Sequence, residues 1–132
     1  MLGGGTGAFA RELRRLRGYP VVVNKWYSTC DNCLEEFGVF QRVAPRYGRR
    51  VAFLGDDVDD DGGARWLAKH PLSFPSYNDV SSAIDELLGA ASARYAPVTY
   101  FYDRRGRQVY FHYGPYLSAA SLERDIRLYL NA

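Results

Sequence analysis

Apolar and polar positions divide the chain into a short series of segments. Val21-Val22-Val23-Asn24-Lys25-Trp26 opens on three β-branched residues, the pattern of a strand buried on both faces. Small and polar residues follow at Ser28-Thr29-Cys30-Asp31-Asn32. Beyond them Leu34, Phe37, Phe40, Gln41 and Ala44 carry an approximately helical spacing that predicts a helix to about Tyr47. Arg50 to Gly55 reads as a second buried strand, ending in an acidic loop from Asp56 to Asp61. A helix is predicted over Ala64 to Lys69, stopping before His70-Pro71 because the residue ahead of a proline avoids helical geometry. Ser73 to Tyr77 reads as a short extended piece and Val80 to Leu88 as another helix. Val98 to Tyr102 and Gln108 to Tyr113, joined at Asp103-Arg104-Arg105-Gly106, form a hairpin. Ser118 to Leu130 closes the chain as an amphipathic helix, with Leu122, Ile126 and Leu130 on one stripe and Ser118 as N-cap.

Ahead of these segments, Met1-Leu2-Gly3-Gly4-Gly5-Thr6-Gly7 lacks the apolar core of a signal peptide and predicts a flexible terminus over residues 1–9. A short amphipathic piece around Leu13 and Leu16 follows. The order is β-α-β-α-(β)-α-β-β-α, without an internal repeat. Strands alternating with helices require parallel pairing through crossovers, and the hairpin adds antiparallel strands. The expected fold class is therefore α/β: a central mixed sheet with helices on both faces, in a single domain of 132 residues.

Composition narrows the function classes. Net charge is +2, which gives a nucleic-acid partner no support. Two cysteines exclude a disulfide-stapled mini-protein, and no apolar run approaches the ~20 residues of a membrane helix. Charge is uneven, with nine basic and four acidic residues in 1–50, two and eight in 51–90, and six and three in 91–132. No block is a long run of one sign, which reads as solvated faces and loops.

The chemistry concentrates in Trp26-Tyr27-Ser28-Thr29-Cys30-Asp31-Asn32-Cys33, a Cys-x-x-Cys at a strand–helix junction. Cys30 falls at the helix mouth, where unpaired N–H groups and the positive dipole end favour a thiolate. Cys33 lies nearly one turn inside, within reach of a mixed disulfide formed at Cys30. Cys30 is thus the expected nucleophile and Cys33 the resolving thiol. Zinc would need four ligands, and Cys30, Cys33, His70 and His112 lack the required spacing. Covalent haem needs His after the second cysteine, where Leu34 stands. A purely structural disulfide closing so short a loop adds little, on the order of 2 kcal/mol. Asp57-Val58-Asp59-Asp60-Asp61-Gly62 resembles the opening of a calcium loop, but the closing Glu position holds Ala68. Redox chemistry of the two sulfurs, with no further cofactor or metal, is the reading that remains.

Val21 to Glu36, taken with Pro97-Val98-Thr99-Tyr100-Phe101-Tyr102-Asp103-Arg104-Arg105-Gly106, resembles the thioredoxin superfamily in its TlpA/ResA-like reductase branch. Phe74 to Asp79 and the helix after it are similar to that branch's inserted strand–helix segment. The resemblance implies a cis Ala96–Pro97 bond facing the sulfurs and leaving the Ala96 backbone free for an extended client. It implies a proton-moving role for Glu36, against the alternative of a solvated helix glutamate. Trp26, Tyr27, Thr29, Ala96 and Pro97 are the expected client contacts. Thr29 stands where the family has Trp, and Lys25 where it commonly has an aromatic residue. Asp31 beside Cys30 disfavours the thiolate and points to a reductant. The resemblance further implies protein thiol or disulfide clients, an upstream thiol donor, a cell-envelope location, and an anchor preceding residue 1. The competing expectation is a binding module with this fold, a Tyr-rich surface and incidental cysteines.

Overall fold

The structure is a computed structural model, and it describes residues 1–58, 62–89 and 95–132. Its elements are α1 (Gly5–Arg15), β1 (Val21–Trp26), α2 (Asp31–Tyr47), β2 (Ala52–Val58), α3 (Gly63–Lys69), β3 (Ser76–Asp79), α4 (Ala83–Leu88), β4 (Val98–Tyr102), β5 (Gln108–Tyr113) and α5 (Ala119–Leu130). Five strands form one sheet in the order β3-β2-β1-β4-β5. β1 runs parallel to β2 and antiparallel to β4, β2 runs parallel to β3, and β4 and β5 pair antiparallel. The mixed α/β sheet is as the sequence predicts.

Alternation along central β1 sorts its side chains between two layers. Val22 packs with Phe40, Val43 and Tyr47 of α2 and with Leu122, Ile126 and Leu130 of α5. Val21 and Val23 pack on the other face with Phe9 of α1, and with Ile84 and Leu88 of α4. All six β1 residues are buried, including Asn24 and Lys25. The hairpin strands carry the predicted boundaries, and Ser118 caps α5 by accepting the Ser121 N–H.

Four expectations need correction. Residues 1–9 are not a loose tail: Leu2 bridges to Tyr77, α1 begins at Gly5, and Phe9 is fully buried edge-on to Tyr77. One aromatic side chain anchors the glycine-rich segment. Asp56 and Asp57 belong to β2 rather than to a loop, and both are buried; Asp59 to Asp61 lie outside the described residues. On α2, Gln41 is exposed and its amide donates to the Pro71 carbonyl, while Cys33, Glu36 and Val43 turn inward. The inserted strand begins at Ser76 and its helix at Ala83, because Asp79 accepts the Ile84 and Asp85 N–H groups and sets that helix start.

Candidate functional site

β1 carries the chain to Trp26, and a tight turn then places Cys30 at the mouth of α2. The Cys30 N–H donates to the Tyr27 carbonyl at 3.2 Å, and the Cys30 carbonyl accepts the Leu34 N–H at 3.0 Å. Cys30 is the N-cap, with extended backbone, and its Sγ accepts the Cys33 N–H at 3.2 Å. The sulfur therefore occupies the position where a capping oxygen normally sits, facing the positive end of a 17-residue helix. Cys30 and Cys33 form a disulfide with their Cα atoms 5.2 Å apart. Cys30 is 6% exposed and Cys33 0%, so only the first sulfur is open to attack from solvent.

Glu36, one turn beyond Cys33 on the same helix, is completely buried. Its Oε1 accepts from Asn24 Nδ2 at 2.6 Å and its Oε2 from the Tyr116 N–H at 2.8 Å. Asn24 is itself oriented by a 3.3 Å bond from Nδ2 to Thr99 Oγ1. Burial outweighs these two hydrogen bonds and pushes the carboxyl up to about 8. The solvated-glutamate alternative is thereby removed. Thr99 belongs to the segment after Pro97 that carries the resemblance, whereas Asn24 and Tyr116 stand out in no local pattern, coming from β1 and the segment before α5.

An apolar collar surrounds the disulfide. Trp26 and Phe37 pack with both cysteines, and Tyr27, Trp66, Leu67, Leu72 and Ala96 close around them. Phe37 meets Trp26 and Trp66 edge-on, with centroids 4.9 and 6.0 Å away. Trp66 also stacks on His70 at 3.8 Å, giving that histidine a packing role.

The expected client contacts divide by exposure. Thr29 is exposed, and Tyr27 and Ala96 are half-buried. Pro97 is buried behind Ala96, with the Ala96–Pro97 peptide cis. Trp26 is a correction: it is fully buried and its indole N–H donates to Ser76 Oγ at 2.7 Å, so it supports the site from below and meets no client.

A second buried polar group lies on the opposite face of β1. Lys25 Nζ contacts the Asp85 carboxylate at 3.1 Å, and both side chains are almost wholly buried. Burial raises the Asp85 carboxyl, and Lys25 opposes that effect. Asp56, opposite Lys25 in the sheet register, is pushed up to about 10 by burial and by the neighbouring Asp79 and Asp85 carboxylates. It is a neutral acid at pH 7. Among the described residues no group of three or more His, Cys, Asp or Glu is arranged to hold a metal ion.

No protein-family model matches the chain. The thiol:disulfide interchange protein DsbE of Pseudomonas fluorescens biotype C is 34% identical over 94 residues, 69% of this chain and 49% of that protein. The thiol-disulfide oxidoreductase ResA of Bacillus cereus is 26% identical over 101 residues, 74% of this chain and 57% of its own length. The chain thus spans about half the length of these curated relatives. Among solved structures, a secreted thiol-disulfide isomerase from Corynebacterium glutamicum superposes with a TM-score of 0.77 at 20% identity, over 90% of this chain and 73% of that one. This last likeness is one of fold.

Proposed function

The chain belongs to the thioredoxin superfamily, and within it we propose that it is a thiol:disulfide oxidoreductase acting on protein clients through Cys30 and Cys33. The observation that carries the reading is the asymmetry of the pair. One sulfur caps a helix and keeps a small exposed edge, and the other is fully buried one helical turn before a buried acid.

In the reducing direction the Cys30 thiolate attacks a client disulfide. A Cys30–client mixed disulfide forms, and the client's other sulfur leaves and takes up a proton. The Cys33 thiol then gives its proton to the Glu36 carboxylate and attacks Cys30 Sγ. The client departs as its second thiol, and Cys30–Cys33 is left oxidised, two electrons having passed to the client. An upstream dithiol regenerates the pair by the reverse exchange. In that half, protonated Glu36 is the acid that receives Cys33 as it leaves. Thr29, Tyr27 and the Ala96 backbone form the rim on which an extended client would rest.

The relatives carry interchange and oxidoreductase names, and the structural neighbour is described as secreted. These support protein thiol clients and a cell-envelope location. No helix among the described residues is long and apolar enough to cross a membrane. The test is insulin reduction with dithiothreitol, comparing the native chain with Cys30→Ser. Turnover that depends on Cys30 is expected, with a potential nearer about −270 mV than about −120 mV. Native turnover no faster than dithiothreitol alone would leave only a binding role for the fold.

A further inference from the structure

We propose that the end of the molecule opposite the disulfide is a docking face for an anionic phospholipid surface, which holds the redox pole away from the bilayer. The proposal does not depend on the redox reading.

Strand direction defines the two poles. β1 runs from Val21 towards the disulfide, so its start, paired with Ala52 and Tyr102, marks the far end. The chain turns there after α1, after α2 and between β4 and β5. Each turn delivers exposed arginines: Arg14 and Arg17 from the first, Arg49 and Arg50 from the second, Arg104 and Arg105 from the third. The turns touch one another. Arg15, Tyr19, Gly48 and Arg49 line one shallow cleft of about 270 Å³. The Gly18 N–H donates to the Arg104 carbonyl at 2.8 Å, and the Arg17 side chain lies beside Gly106. The basic surface is continuous.

Acids on this face are already occupied. Glu12 holds Arg15, Glu123 holds Arg46, and Asp103 holds Arg107 while accepting two N–H groups of its own turn. The six arginines named from the turns pair with no carboxylate among the described residues. At the opposite pole, Asp31 and Glu35 stand exposed beside the disulfide. Exposed Arg65 and Lys69 of α3, whose Trp66 and Leu67 pack by the disulfide, offset these two acids, so an anionic surface attracts the arginine-rich end far more than the other, which fixes orientation as well as attachment.

One feature favours a lipid surface over nucleic acid or an acidic protein. Apolar side chains stand among the charges: Tyr19 is 49% exposed, and Leu128, beside Arg127 in the last turns of α5, is 66% exposed. Aromatic and aliphatic groups mixed with cations suit the headgroup layer, where apolar parts leave water and guanidinium groups reach phosphate.

The test is co-sedimentation of the full chain with phosphatidylcholine vesicles, with and without about one third phosphatidylglycerol, at about 0.1 M and about 0.5 M salt. We expect binding to the anionic vesicles alone, weakening as salt rises. Each unpaired arginine contributes about fivefold near such a surface, so Arg49→Gln with Arg104→Gln should weaken partition by more than about tenfold. Arg65→Gln with Lys69→Gln makes the same charge change at the disulfide pole and should shift it less than about threefold. A water-soluble maleimide should label reduced Cys30 on vesicles within about twofold of its rate in solution, since the disulfide pole faces outward. Equal binding to neutral vesicles, equal losses in both variants, or shielding of Cys30 would each overturn the proposal. So would tighter binding to a short DNA duplex at the same salt.

Discussion

Replacing Glu36 by Gln should make the protein more stable at neutral pH while impairing its chemistry. The unfolded carboxyl releases its proton near the ordinary value of 4.5, and the folded one holds it to about 8. Between those values the native state binds more protons than the unfolded state. Native stability therefore falls as pH rises through this window and levels off above it. From 4.5 to pH 7 spans two and a half pH units at about 1.4 kcal/mol each, so the buried acid costs about 3 kcal/mol at neutrality. Glutamine removes that penalty. It also loses one acceptor, because both glutamate oxygens receive hydrogen bonds. Asn24 repairs most of this by turning its amide, presenting Oδ1 to the new Nε2 and accepting from the Thr99 hydroxyl, which leaves about 1 kcal/mol against the variant.

The expected result is a crossing. Glu36→Gln should be slightly less stable than the native chain near pH 4.5 and about 2 kcal/mol more stable at pH 7. The assay is urea unfolding of the oxidised proteins across that range, where such a difference moves the midpoint by roughly 1 M. Taking the difference between the two proteins cancels every other titrating group, Asp56 included. A difference constant with pH would refute the argument, because it would mean that Glu36 carries the same charge folded and unfolded.

Three further outcomes are expected. Alkylation of the reduced protein near pH 7, followed by peptide mass spectrometry, should label Cys30 more than about tenfold faster than Cys33, and the opposite order would exchange their roles. Lys25→Met should cost about 3–5 kcal/mol in urea unfolding by stranding the Asp85 carboxylate, with much of the loss recovered when Asp85→Leu is added; a single variant within 1 kcal/mol of native would show that the pair holds nothing together. Asp56→Asn should gain about 2–4 kcal/mol at pH 7, since this acid is held neutral while its unfolded counterpart ionises near 3.8, and the gain should vanish at about pH 3.

Sequence patterning located the fold where local chemistry was decisive. The hairpin boundaries followed from Asp103 and Gly106, whose carboxylate and positive φ of 80° close the turn. Ser118 marked the start of α5, and the Cys-x-x-Cys marked the start of α2. What was not legible depended on partners remote in the chain. Asp56 and Asp57 read as loop because carboxylates seldom enter a buried strand; Lys25 on the neighbouring strand and Asp85 beyond β3 make that interior charged. The burial of Glu36 rests on Asn24, twelve residues away, and on Tyr116, eighty residues away. A helical glutamate one residue past another gives no sign of either.

The two buried acid systems flank the same strand end, and the face each occupies decides which lies near the sulfurs. Asn24 and Lys25 are consecutive on β1, so their side chains leave opposite faces, one towards Glu36 and the other towards Asp85 and Asp56. Both lie just ahead of the turn that presents Cys30. Asp56, pushed up to about 10 by burial and its neighbouring carboxylates, lies opposite Lys25 on the face of the sheet turned away from α2. The sheet stands between that carboxyl and the Cys33 sulfur. Glu36, held at about 8, changes charge in the range where an ordinary thiol near about 8.5 titrates, and it shares a helix and a face with Cys33. A proton donor and acceptor is most effective when its own affinity lies close to that of its partner. The sheet therefore separates a carboxyl packed among the charges joining β1, β2 and α4 from one that shares a helix face with Cys33, the arrangement the proposed proton transfer requires.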